Sequence, residues 1–279
     1  MNDNANDSSK PDPFDLATAV KVAGDRRSGH TSDGYWAFVG PFGGATAATV
    51  LRSVLEHPQR VGDPVSLTIN FCAPIERGPF DLAVREVRTN RSSQHWYVEL
   101  SQSSGVAATA TAVFALRRPT WSHLVAHMPH SPPPEAVAVF PQGRSLPWVD
   151  QYEFRFVDGA PDLRETPLAE PATARTLAWI RDRVPRQIDG VSLCSMADAF
   201  FGRIFHVRGT LAPFGTISMT VYFHADSADL QSDRITTVLG LADARVFHKS
   251  YADQTAELWS PSGALLASTH QVAYYKVEP

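Results

Sequence analysis

From Ser66 to Phe71 the chain reads Ser-Leu-Thr-Ile-Asn-Phe, and a matching alternation returns 152 residues later from Ser218 to Phe223 as Ser-Met-Thr-Val-Tyr-Phe. A period of two places one set of side chains on each face of a strand. Further pairs follow in the same order: Arg91-Ser92 with Lys249-Ser250, Glu99-Leu100 with Glu257-Leu258, and Gly105 with Gly263, now 158 residues apart. Ser66–Arg118 is therefore repeated, in degraded form, as Ser218–Lys276. The second copy has gained 6 residues. They are expected in the turn after its first strand, because insertions concentrate where the backbone need not be buried. Two related β-rich units imply a duplicated fold, with any site where the halves meet.

Other elements follow from period and punctuation. Ala47, Val50, Leu51 and Val54 stand at helical spacing after Phe42-Gly43-Gly44, which predicts a buried helix over Ala45–Leu55 entered through the two glycines. Strands are predicted at Val65–Phe71, Phe80–Thr89, His95–Ser101 and Ala107–Leu116. Gly78-Pro79, Asn90-Arg91-Ser92-Ser93 and Ser103-Ser104-Gly105 join them as hairpins. A curved antiparallel sheet wrapped round the helix would explain its lack of a charged face. The tract from Pro119 to about Pro147, including Pro132-Pro133-Pro134, reads as a connector running extended along the surface. Beyond it the order repeats: strands at Tyr152–Val157 and Thr176–Arg181, an apolar helix over Ser192–Ile204, and three or four strands between Thr216 and Val277. The units are thus expected at 14–118 and 149–279, joined by 119–148, with 1–13 too polar to offset the entropy of ordering.

With 43% hydrophobic residues, 19% charged and a net charge of −4, the chain gives no electrostatic reason to expect a nucleic-acid partner. No stretch approaches the ~18 consecutive apolar residues of a membrane span. The polar N-terminus lacks the apolar segment of a secretory signal, and Val277-Glu278-Pro279 is not a peroxisomal address. Cys72 and Cys194 have no metal-type spacing and read as buried thiols of a reducing compartment, so a cytoplasmic location is expected.

Asp198 lies within the apolar run Ser192–Ile204. A buried carboxylate costs several kcal/mol unless it is paired or protonated, so it needs a reason. One explanation is that it faces an edge or caps a neighbouring strand. The first copy weakens that explanation, because no acidic residue occurs between Asp33 and Glu56 and the fold therefore does not require one.

Together these segments resemble the acyl-CoA thioesterases of the double-hotdog type, the acyl-CoA thioesterase II-like group, over nearly the whole chain. The resemblance is carried by Phe42-Gly43-Gly44, Leu67-Thr68-Ile69-Asn70-Phe71-Cys72-Ala73-Pro74 and Arg88-Thr89-Asn90-Arg91-Ser92 in the first half. In the second it is carried by Ala197-Asp198-Ala199-Phe200, Gly215-Thr216-Ile217-Ser218 leading to Phe223-His224, and Leu266-Ala267-Ser268-Thr269-His270-Gln271. It implies an α+β fold, a double hotdog of two fused units, each a central helix wrapped by an antiparallel β-sheet. It also implies hydrolysis of an acyl-CoA through a water held by Asp198, Thr216 and Gln271, without metal or other cofactor, in a homo-oligomer acting in fatty-acid metabolism.

The chemistry of those residue types agrees. Water is a poor nucleophile, so a catalyst must orient it, take its proton and stabilise an oxyanion. Asp198 would act as the base, Thr216 would bridge water and carboxylate, and the Gln271 amide would donate. Taken singly, a strand Thr is commonly structural and a strand Gln commonly faces solvent. At the repeat offsets Thr216 corresponds to Pro64 and Gln271 to Val113, so one site per chain is expected. Gly43 and Gly44 at the helix entry, and Arg88, Arg91 and Lys249 at hairpin turns, are candidate substrate contacts, the cations for CoA phosphates. His123, His127 and His130 fit no standard zinc spacing, and no Gly-x-Ser-x-Gly elbow occurs. Two other readings stay open: an enoyl-CoA hydratase or dehydratase, for which His206 would have to reach Asp198, and a non-catalytic acyl-CoA-binding protein.

Overall fold

A computed structural model of the chain describes residues 11–23, 26–141, 146–169 and 172–277. Of the N-terminus expected to be disordered, Met1 to Lys10 lie outside these. Described order starts with α1 (Pro13–Ala17), whose N-cap Asp12 accepts from the backbone N–H groups of Phe14 and Asp15. Two short strands follow, β1 (Lys21–Ala23) and β2 (Arg26–His30), then α2 (Gly43–Leu55). β3 (Asp63–Phe71), β4 (Pro79–Thr89), β5 (Ser93–Gln102) and β6 (Gly105–Ala115) form the expected hairpin run, each within two residues of its predicted bounds.

The second half supplies β7 (Tyr152–Asp158), β8 (Thr176–Asp182), α3 (Gly190–Met196), α4 (Arg203–Arg208), β9 (Phe214–Phe223) and α5 (Ser227–Ser232). It ends with β10 (Val238–Asp243), the two-residue β11 (Phe247–His248), β12 (Tyr251–Trp259) and β13 (Leu265–Tyr275). The insertion expected after the first strand of the second copy is there: α5 occupies the connection between β9 and β10.

All thirteen strands join one antiparallel sheet in the order β1-β2-β4-β5-β6-β3-β9-β13-β12-β10-β8-β7, with β11 beside β12. Read outward from the central β3–β9 pair, the two arms have the same sequence of equivalent strands. Thr68 and Thr220, which are equivalent in the repeat, face each other across that seam with hydroxyls 3.0 Å apart. The local two-fold relating the halves passes between them. Arg117 also crosses the seam, its guanidinium donating to the Phe223 carbonyl at 2.6 Å. This is the double hotdog expected from the sequence, with a sheet curved round two central helices.

α2 is buried from Gly44 to Leu51 without a break, which is why it has no charged face; Arg52, near its end, reaches out to Asp15. The start of α2 abuts the end of α3: a Cβ on Gly44 would lie 2.5 Å from the Ser195 carbonyl oxygen. The Pro-rich connector lies along the second arm, where Trp179 donates to the Pro132 carbonyl and Arg155 to those of Pro134 and Val137.

One element departs from expectation. The helix predicted over Ser192–Ile204 is two helices, ending at Met196 and resuming at Arg203. Ala197 closes the first, and Asp198 N–H bonds back to the Ser195 carbonyl in a tighter turn. Helical periodicity continued through the break because Met196, Ala197, Ala199 and Phe200 are all buried in the turn itself. Buried Arg203 secures the next step, donating to the carbonyls of Phe201 and Ala174 and to Thr176 Oγ1. Among the described residues no helix is long and apolar enough to cross a membrane.

Candidate active site

Because α3 stops before Asp198, the carboxylate is presented by a turn rather than held against a helix face. It is 8% exposed and accepts from Gln271 Nε2 at 2.7 Å, and also from the backbone N–H of Gly44. Gln271 sits on β13, where Thr269, Gln271 and Ala273 are buried and His270, Val272 and Tyr274 exposed. A glutamine in and a valine out inverts the usual sorting, and a buried amide needs partners. Gln271 has two: beyond the bond to Asp198, its Oε1 accepts from Thr216 Oγ1 at 3.1 Å. Thr216, near the start of β9, is half-buried.

The three expected catalytic residues are thus a chain, Thr216 to Gln271 to Asp198. Gly43 completes the enclosure, for a Cβ there would lie 2.8 Å from Asp198 Oδ2 and 3.3 Å from the Phe71 ring. Beneath the turn, the Tyr152 hydroxyl pairs with Ser195 Oγ at 2.7 Å. Burial pushes the Asp198 carboxyl up to about 7, against the opposing pull of the Gln271 and Gly44 hydrogen bonds. A base poised there can take and return a proton near neutrality.

Asp198, Thr216, Gln271 and Gly43 all line a cavity of about 1220 Å³ between the halves. Its walls are largely apolar, with aromatic rings among them that include Phe42, Phe71, Trp148, Phe200 and Phe214. Phe42 of the first half stacks on Trp148, the last residue of the connector, with ring centroids 4.3 Å apart, so the wall itself ties the connector's end to the first half. Dispersion and apolar burial favour a hydrocarbon-rich guest here.

The remaining candidates lie elsewhere. Arg88, near the end of β4, and Arg91 and Lys249 on hairpin turns are exposed and are not among the residues lining the cavity; Arg88 Nε donates to Asn90 Oδ1 at 2.8 Å. Lys249 is the nearer, since the carbonyl of its neighbour Ser250 accepts from Tyr275, next to Tyr274 on the cavity wall. Cys72, expected to be a buried thiol, is exposed just past β3 and faces the cavity, whereas Cys194 is buried. His206 lies on α4, buried, its Nε2 without a partner among the described residues, and it does not line the cavity beside Asp198.

One lining residue escaped sequence reasoning. Gln254 of β12 faces Gln271 as its direct cross-strand partner and is 4% exposed. Alternation along β12 carries the signal, because Gln254 shares its parity with buried Ala252, Ala256 and Leu258.

A buried carboxylate bonded to an amide that in turn accepts from a hydroxyl, at the junction of two fused hotdog units and opening on a largely apolar cavity, is a candidate site for hydrolysis of an acyl compound. Residues 32–115 match the model of the acyl-CoA thioesterase N-terminal domain and residues 126–275 that of the C-terminal domain. The chain belongs to the acyl-CoA thioesterase family and is a thioester hydrolase. A hot dog fold protein of unknown function from Alicyclobacillus acidocaldarius is 40% identical, with 95% of this chain and 98% of that one covered and a TM-score of 0.89. An acyl-CoA thioesterase II, TesB2, from Mycobacterium marinum is 19% identical over 95% and 98% of the two chains at a TM-score of 0.72. A tesB protein from Mycobacterium avium subspecies paratuberculosis is 17% identical over 96% and 100% at 0.74, and these two likenesses establish the shared fold. Among curated proteins none matches the chain.

Proposed function

We propose that this chain hydrolyses an acyl-CoA to the free acid and CoA through one water held by Asp198 and Thr216, with Gln271 fixing both. The observation that carries the reading is the Gln271 amide, committed at each end: Nε2 to Asp198 and Oε1 to Thr216. Since the Thr216 proton goes to Gln271, its oxygen is left as an acceptor. A water between the two residues then gives one hydrogen to Thr216 and the other to Asp198, directing a lone pair at the thioester carbon. Asp198 takes the proton as the C–O bond forms. The tetrahedral intermediate expels CoA as thiolate, and the proton on Asp198 passes to that sulfur. The strand register corrects one expectation: Leu67 pairs with Ala112 as its equivalent Met219 pairs with Gln271, so Ala112, not Val113, stands at the position of Gln271. Pro64 stands at that of Thr216, and the first half contributes walls and the glycine entry instead of a second site.

Arg88, Arg91 and Lys249 are the proposed contacts for CoA phosphates, and the units divide as 14–118 and 149–279 around the connector. A homo-oligomer, a cytoplasmic setting and a place in fatty-acid metabolism follow from the family resemblance as further parts of the reading.

Release of CoA thiol from a panel of acyl-CoAs, by wild type and Asp198→Asn in parallel, tests it. Turnover that collapses in a folded Asp198→Asn variant is the expected result. Acyl-CoA retained without turnover by wild type would make the protein a binder, and unchanged turnover in the variant would remove Asp198 from the chemistry.

A further inference from the structure

Gln254 is a polar side chain in a largely apolar cavity, and its Oε1 finds no hydrogen-bond donor among the described residues. That oxygen is buried, while the residue lines the cavity beside Gln271. Strand order sets it one strand farther than Gln271 from the β3–β9 seam, on the side away from Gly43, Gly44 and Thr216. The cavity residues on this side, Phe200, Phe201, Gly202 and Phe205, offer it no polar side chain. The Gln271 amide is already spoken for at both ends. A buried amide left without partners is unfavourable, and a hydrocarbon guest would leave it so.

We infer that Gln254 is a specificity-determining residue that hydrogen-bonds a hydroxyl on the acyl chain, so that the substrates are hydroxyacyl-CoAs in preference to plain acyl-CoAs. This rests on the hydrolytic reading of the same cavity. A hydroxyl suits the site because it both donates and accepts, and so meets either end of an amide whose two ends interchange by a half-turn. Sites that hydrogen-bond a substrate hydroxyl discriminate strongly against the analogue lacking it, because the site's own polar group is then left unpaired.

The test compares octanoyl-CoA with octanoyl-CoAs hydroxylated at the α, β or terminal carbon, on wild type, Gln254→Leu and Gln254→Met, with thermal melting of each. Wild type should prefer at least one hydroxylated substrate by about tenfold or more in kcat/KM, and that ratio should collapse toward one in whichever variant melts like wild type. No preference in wild type, or the same ratio in wild type and variant, overturns the assignment. A fall of equal size on all substrates also overturns it, by placing Gln254 on the thioester. Binding of non-hydrolysable thioether analogues separates the two readings. If no substrate releases thiol but wild type still favours the hydroxylated analogue and the variants do not, the hydrolytic reading fails and the role of Gln254 stands.

Discussion

Gln271 Nε2 donates to Asp198 Oδ1 at 2.7 Å, and with Thr216 donating to the opposite end the amide has one orientation that satisfies both bonds. A buried carboxylate that would otherwise be free to turn is held with Oδ2 toward Gly43.

The pH dependence of Asp198 follows from its raised pKa. Catalysis needs the ionised form, so kcat/KM should climb about tenfold per pH unit below about 7 and level off above it. Asp198→Asn should reduce kcat by roughly 100-fold or more and flatten that limb. Stability moves the other way. Between the ordinary value of 3.8 and about 7 the folded state binds more protons than the unfolded one, so wild type loses stability as pH rises. The Asn variant lacks this term, and its Tm relative to wild type should increase across that window. A Tm difference that is constant with pH would contradict the assignment.

Gln271→Glu replaces the fixed donor with a second carboxyl group facing Asp198. Two carboxyls at that separation share a proton, and the pair's upper pKa rises. The acid limb of the rate profile should move up by at least about one pH unit, with the rate at neutrality down by about 100-fold. Pre-steady-state or steady-state pH profiles read this directly.

The two entry glycines should respond differently to alanine. At Gly43 the methyl meets Asp198 Oδ2 and the Phe71 ring, both side-chain atoms, so activity should fall while Tm changes little. At Gly44 it meets the Ser195 carbonyl, which is backbone and cannot step aside, and destabilisation of about 1–3 kcal/mol is expected. Denaturant melts beside thiol-release assays distinguish them.

Thr216→Val removes one bond to Gln271 while keeping shape. One neutral hydrogen bond is worth about 1 kcal/mol, so loss of orientation alone predicts a decrease of about fivefold in kcat, larger if Thr216 also holds the water. Thr216→Ser should restore most of it.

Most of the fold was legible because alternation and glycine or proline punctuation are local. Strands β3 to β6 and the entry to α2 show this, whereas the short β1 and β2 carried no such signal. The seam was half legible: the repeat implied two units, but only the register reveals that Thr68 meets Thr220. The break after Met196 was hidden because helix and turn bury the same residue types, and it is the break that delivers Asp198. Gln271 and Thr216 were reached by resemblance, since neither looks unusual in its own strand. Gln254 had no motif to mark it; its buried parity was visible, its lack of a partner was not.

The dyad between Thr68 and Thr220 has an evolutionary corollary. In a symmetric pair of identical chains every substitution is made twice, once on each side of the axis, and a change that helps one pocket is imposed on the other. Joining the copies in one polypeptide ends that constraint. Here one side holds Pro64 and Ala112 where the other holds Thr216 and Gln271. A first-half lining residue such as Phe71 can therefore change on its own, with no matching change imposed beside Gln271, so each wall of the cavity is open to selection separately.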